Sequence, residues 1–195
     1  FTDCILETIN YFKEKNSIHI LIRSHPAEKV LSSNEYYKDL IIEKLGGKIP
    51  NNVSFTPNDT TINSFSIIEL TDVAIVNTST IGLECAILDK PVVLPFKCHY
   101  GNKGFTDDPE TKKSYFDIIE SHLKRKNKRK NRSILAKKYF FLMMFKYQKK
   151  TPIEYKNNLF KKYTFLNLDD LSKNDQIYEL VKKIKQNDIN NLTVW

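Results

Sequence analysis

Asp72-Val-Ala-Ile-Val-Asn-Thr-Ser-Thr-Ile-Gly-Leu-Glu84 is the stretch whose reading decides the fold. Asp72 to Val76 has the apolar run of a short buried strand, Asn77 to Thr80 is a polar hinge, and Ile81 to Leu88 continues with helical spacing. A strand, a hydroxyl-rich turn and a helix in that order place Ser79 or Thr80 at the N-cap. There, free backbone N–H groups and the positive end of the helix dipole form a site suited to phosphate. The same pattern also describes an ordinary capped helix after a core strand, so the neighbouring segments must decide between the two.

Upstream, residues 3–15 carry Ile5, Leu6, Ile9 and Phe12 on one helical stripe. Ile18-His-Ile-Leu-Ile22 reads as a buried strand, ended by Arg23-Ser-His-Pro26, because the residue before proline is pushed out of the helical region. Residues 34–45 are expected to be helical up to Gly46-Gly47, Val53-Ser-Phe-Thr56 to be a strand, and residues 61–70 a short helix. Downstream, Val92-Val-Leu94 is another short strand, and a Gly- and Asp-containing loop runs to Pro109. Strands alternating with short helices imply an α/β fold: a Rossmann-like parallel sheet with helices on both faces. In such sheets ligands lie outside the carboxyl ends of the strands, which singles out the loops at 23–26, 77–80 and 95–108. Neither a G-x-G-x-x-G after the first strand nor a G-x-x-x-x-G-K-[ST] is present, which weighs against dinucleotide and P-loop chemistry.

The chain has 195 residues, 41% hydrophobic and 28% charged, enough for one sizeable core. Three cysteines, Cys4, Cys85 and Cys98, lack metal-type spacing and do not make a disulfide framework, which fits a reducing cytoplasm. No signal peptide and no membrane-spanning apolar run is visible. The chain opens on Phe1 rather than methionine, directly in a helical pattern, so an N-terminal part is expected to be missing. The net charge of +8 is unevenly placed. Residues 1–123 hold 12 Lys and Arg against 17 Asp and Glu, whereas residues 124–195 hold 19 against 6. A globular unit at 1–123 is therefore expected to be followed by a basic helical extension at 124–195, with helices at 114–124, 133–147, 154–162 and 171–187.

Within that extension, Lys124-Arg-Lys-Asn-Lys-Arg-Lys-Asn-Arg132 reads as a solvated or surface-binding segment. Tyr139-Phe-Phe-Leu-Met-Met-Phe145 is apolar around a whole helix, with Lys137, Lys138, Lys146, Lys149 and Lys150 at its flanks. Two readings of this run stand: burial into the headgroup region of an anionic membrane through Lys124–Lys150, or packing against the sheet or a partner domain. Nucleic acid is not favoured, since the aromatics are massed rather than interleaved with the basic residues.

Three loops in one order, Arg23-x-His-Pro26, Ser79-Thr-Ile-Gly-Leu-Glu84 and Gly101-Asn-Lys-Gly-Phe-Thr-Asp-Asp108, resemble the capsular polysaccharide biosynthesis proteins. That family includes bacterial transferases of 3-deoxy-manno-octulosonic acid. More distantly, the pattern is similar to bacterial sialyltransferases and teichoic-acid glycerophosphotransferases. The resemblance covers residues 18–120, a little over half of the chain. It implies the C-terminal, nucleotide-sugar-binding half of a GT-B glycosyltransferase, with a CMP-linked donor favoured. With the basic extension, a cytoplasmic location is expected, peripheral at the inner face of the cell membrane through Lys124–Lys150, and no cofactor is expected.

By that resemblance, His25 is the catalytic residue, stabilising the departing phosphate as charge develops on it. Arg23 pairs with the phosphate or braces its loop. Thr78, Ser79 and Thr80 supply hydroxyls and N–H groups, and Gly82 leaves room for close approach. Glu84 takes ribose hydroxyls or serves only as a dipole partner, and Gly104, Thr106 and Asp107 form a third wall. His19 is expected to be structural, His99 remains open, and His122 is expected to be exposed. No metal site is expected. The family's acceptor site and general base lie in an N-terminal domain that this sequence lacks, so no general base is assigned. Two alternatives remain: a CDP-alcohol glycerophosphotransferase, and a non-catalytic nucleotide- or membrane-binding protein with a basic tail.

Overall fold

A computed structural model of the chain describes residues 2–24, 37–56, 62–124, 131–146, 153–156, 159–163 and residue 178. Helix α1 (Thr2–Phe12) buries Ile9 and Phe12 of the expected stripe together with Thr8, while Ile5 and Leu6 are half-buried. Strand β1 (Ile20–Arg23) follows, then helix α2 (Tyr37–Lys44) and strand β2 (Val53–Thr56). β1 and β2 pair in parallel, from Ile20 opposite Val53 to Arg23 opposite Thr56. Asn52 locks this corner. Its buried amide donates to the carbonyls of Phe12 at 2.9 Å and Ile18 at 3.0 Å, joining the end of α1 to the start of β1.

The second unit repeats the scheme in fewer residues. Helix α3 (Ser64–Leu70) is capped by Asn63, whose side chain accepts from the Phe65 N–H at 2.9 Å. Strand β3 (Ala74–Ile75), helix α4 (Ile81–Ile87) and strand β4 (Val92–Val93) then form a tight parallel crossover. Val76 N–H extends the ladder to Val93 O at 3.1 Å. On β4's other side Asp107 closes a backbone bridge, its N–H to Val92 O at 2.8 Å and its carbonyl to Leu94 N–H at 2.9 Å.

Two fully buried neighbours on β4 show how the layers stack. Adjacent strand side chains point to opposite faces. Val92 joins a core with Leu83, Ala86, Tyr100, Phe105 and Ala136, whereas Val93 joins one with Phe12, Tyr115, Phe116 and Ile119. Helix α5 (Lys112–Leu123) thus covers one face beside α1, and helix α6 (Arg132–Phe141) covers the other beside α4. α5 begins with a capping box, Thr111 with Ser114. α6 continues as a π-helical turn, Leu142–Lys146. Its Ala136 is fully buried in the core of the first 123 residues, so that core draws on both sides of the basic run.

The fold is therefore mixed α/β, with six α-helices and two short parallel strand pairs among the described residues. The two pairs share the Val93 core, to which Ile20 and Val73 contribute, but no ladder joins them. A cleft of about 610 Å³ lies where Leu21 and Arg23 on one side meet Val73 and Ile75 on the other.

Several expectations are corrected. Residues 154–156 and 159–162 are not helical: strands β5 (Ile153–Lys156) and β6 (Leu159–Tyr163) pair antiparallel. Tyr155, Phe160 and Tyr163 favour strands, and the intervening Asn157-Asn158 is a turn-forming pair in sequence. The extension is accordingly mixed rather than all helical. His19 lies just before β1 and is exposed, with Nε2 2.8 Å from Ser54 Oγ. His122, expected on the surface, is buried. The expected helix at 171–187 and the basic residues 125–130 lie outside the described residues. No described helix is long and apolar enough to cross a membrane.

Candidate functional site

The polar hinge and the third loop leave the same end of the β3–β4 pair, after Ile75 and Val93, which stand opposite each other. The hinge does not cap its helix through a side chain. Thr80 is the N-cap residue, in helical backbone geometry and without a side-chain bond, while Ser79 Oγ accepts weakly from Ile81 N–H at 3.4 Å. Thr78 and Thr80 are exposed, and Asn77 and Ser79 are half-buried.

Tyr100 joins the two loops. Its ring is fully buried and its hydroxyl donates to the Ser79 carbonyl at 2.7 Å. Burial pushes this phenol far above its usual range, so it remains a donor. This contact also explains Gly82. A Cβ at that position would stand 2.3 Å from the Tyr100 hydroxyl and 3.0 Å from Cζ. The space that Gly82 provides is filled by Tyr100 rather than left open to a ligand. Glu84 is half-buried one turn into α4.

The rest of the third loop folds on itself and on α6. Gly104 has φ +85, a left-handed conformation that disfavours other residues, and lies against Leu135. Phe105 is fully buried between Tyr100 and Tyr139, at ring separations of 6.3 and 5.7 Å. Thr106 is buried and donates to Asp108 at 2.8 Å. Lys97, Asn102 and Lys103 are exposed on this loop.

Asp107 faces inward. One carboxylate oxygen meets His122 Nε2 at 2.7 Å and the other accepts from Arg132 Nη2 at 2.8 Å. Arg132 Nη1 stands 2.8 Å from the first oxygen, at an angle too poor for a hydrogen bond, and contributes there as a charge. All three side chains are at most 7% exposed. Burial opposes ionisation of Asp107, but the His122 and Arg132 hydrogen bonds outweigh it and hold the carboxyl at about 2. The carboxylate is thus committed to a buried link between β4, the end of α5 and the start of α6.

Of the residues singled out by sequence, the structure brings together Thr78, Ser79, Thr80, Gly82 and Glu84 with the loop holding Gly104, Thr106 and Asp107. Arg23, at the end of β1, is exposed and lines the cleft of the other strand pair. His25 lies outside the described residues. His99 is exposed, with Nδ1 3.0 Å from the Tyr139 hydroxyl, and partial burial lowers its pKa. Sequence reasoning passed over Tyr100 and read Arg132 as the end of a solvated basic run, whereas it is buried against Asp107. An aromatic beside the glycine of a loop and an arginine opening a helix are the signals that were present. No cluster of His, Cys, Asp or Glu among the described residues has the form of a metal site. Comparison with family models, with curated proteins and with solved structures gave no match for this chain.

Proposed function

We propose that the chain binds a nucleotide-activated sugar, CMP-linked by preference, as the donor half of a glycosyltransferase for surface polysaccharide. The observation that supports this reading most is the Tyr100–Ser79 tie, which holds two of the three motif loops at one end of a parallel strand pair. That end is where α/β sheets receive their ligands. The exposed hydroxyls of Thr78 and Thr80, with Lys97 and Lys103 on the adjoining loop, give it the donors and positive charge that a pyrophosphate or phosphate needs. On this reading β1 belongs beside β3 in one Rossmann-like sheet, with Arg23 lining the cleft between them.

Calorimetric titration with CMP, CDP and UDP tests the proposal. Binding of a cytidine nucleotide is expected, weakened by about 1–3 kcal/mol in His25→Ala, the range for a lost charge-assisted hydrogen bond. Absence of binding to all three nucleotides, or wild-type affinity in His25→Ala, refutes it. Donor turnover assays with CDP-glycerol distinguish the glycerophosphotransferase alternative.

A further inference from the structure

The described face of α6 that turns away from the core carries a surface without a role in nucleotide binding. The helix is divided by its packing. Ala136 is fully buried, and Tyr139, Phe140 and Met143 pack against the same core. On the outside, Ile134 and Phe141 are each 51% exposed and Phe145 is 68% exposed. Their spacing of seven and four residues keeps them on one side of the helix, and the Phe141 and Phe145 rings lie 5.4 Å apart. Lys137, Lys138 and Lys146 are exposed around this stripe. A helix that seals the core with one face would normally present polar residues on the other. Here it presents apolar side chains bordered by lysines.

Charge decides what this face fits. Between Glu120 and Glu154 the sequence contains 12 Lys and Arg and no Asp or Glu. Arg132 is buried against Asp107, but Lys137, Lys138 and Lys146 around the stripe leave the described face positive, so it repels basic protein surfaces and attracts an extended anionic one. We infer that the outer face of residues 134–146 docks on an anionic lipid surface, with Ile134, Phe141 and Phe145 entering the headgroup boundary and the lysines meeting lipid phosphates. Two bulky rings projecting side by side fit a deformable apolar layer. Nucleic acid offers no such layer to side chains grouped away from the basic residues. Lysine stems are long and apolar enough to cover such a stripe while their ammonium groups reach the headgroups. The helix therefore packs inward and docks outward, combining the two uses that its composition permits.

Sedimentation of the full chain with vesicles tests this independently of any nucleotide. Three probes are used: neutral phosphatidylcholine vesicles, vesicles with about one-third phosphatidylserine, and single-stranded RNA. Binding to the phosphatidylserine vesicles is expected. Phe141→Ser with Phe145→Ser, at exposed positions whose replacement spares the core, is expected to weaken it at least about tenfold. Lys137→Gln with Lys138→Gln is expected to weaken it by roughly tenfold or more. Circular dichroism of each variant confirms that the fold is retained. Three results overturn the inference: equal partition to neutral and anionic vesicles, vesicle binding unchanged by the phenylalanine variant, and RNA binding without vesicle binding. Concentration-dependent dimerisation that the phenylalanine variant abolishes, without vesicle binding, assigns the face to a second copy and overturns it too.

Discussion

Removing Arg132 should expose how much of the fold depends on one buried carboxylate. Asp107 is paired on both oxygens, with its side chain 2% exposed. Arg132→Ala leaves that charge with His122 alone, in surroundings that water does not reach. Breaking a buried ion pair from one side typically costs about 3–5 kcal/mol, because the remaining charge has lost its partner but not its desolvation. For a chain of this size each kcal/mol lowers the melting temperature by roughly 2–4 °C, so a fall of about 6–20 °C is expected. The double variant Asp107→Asn/Arg132→Ala, set beside Asp107→Asn alone, removes both charges. It should lose at least about 1–2 kcal/mol less than the sum of the two single variants, since neither leaves an orphan in the other's absence. Urea unfolding followed by circular dichroism at 222 nm measures all four proteins. Additive losses, or a loss below about 1 kcal/mol for Arg132→Ala, would refute the claim that the triad acts as one buried unit.

Other expectations concern the same core. Because Asp107 is held at about 2 when folded against an unfolded value near 4, its contribution is present above about pH 4 and is lost as pH falls toward 2. That slope, worth about 2 kcal/mol, should disappear from acid titrations of Asp107→Asn. Gly82→Ala, normally favourable in a helix, should here destabilise by about 1–3 kcal/mol through the clash with Tyr100, and a stabilised variant would contradict the packing. Asn52→Ala, which removes the buried amide from the Ile18 carbonyl and leaves the Phe12 carbonyl only the Lys15 N–H, should lower stability by about 1–3 kcal/mol in urea titration; an unchanged midpoint would contradict it. The Cys85 thiol is buried, and burial pushes its pKa up to about 11. In native protein Cys85 should therefore resist thiol reagents that label it in urea, as mass spectrometry of labelled peptides would show.

What the sequence made legible was local. The alternation of Ile18–Ile22, Val53–Thr56 and Val92–Leu94 with helical stripes anticipated the order of elements, because short apolar runs with polar breaks mark strands, although β1 leaves Leu21 and Arg23 exposed. It did not anticipate that Asp107 and His122 turn inward. Nothing in a loop or a helical pattern marks which polar residue will meet Arg132 from another element. The antiparallel strands at 153–156 and 159–163 were misread because aromatics and lysines at mixed spacing satisfy a helical template as readily as a strand one. Gly82 was read as space for a ligand. Only the position of Tyr100, eighteen residues later, shows what fills it.

The compact crossover from Ala74 to Val93 has a consequence for how the chain acquires its structure. A parallel pair joined by a single two-turn helix closes over a short span, whereas β1 and β2 must bring Ile20 to Val53 across a longer one. Loop closure is less demanding for the shorter span, so β3, α4 and β4 are expected to assemble first. In stopped-flow measurements, truncating Leu83 or Val92 should mainly slow refolding, while truncating Val53 should mainly hasten unfolding. The segment that carries the polar hinge would then also be the nucleus on which the remaining strands condense.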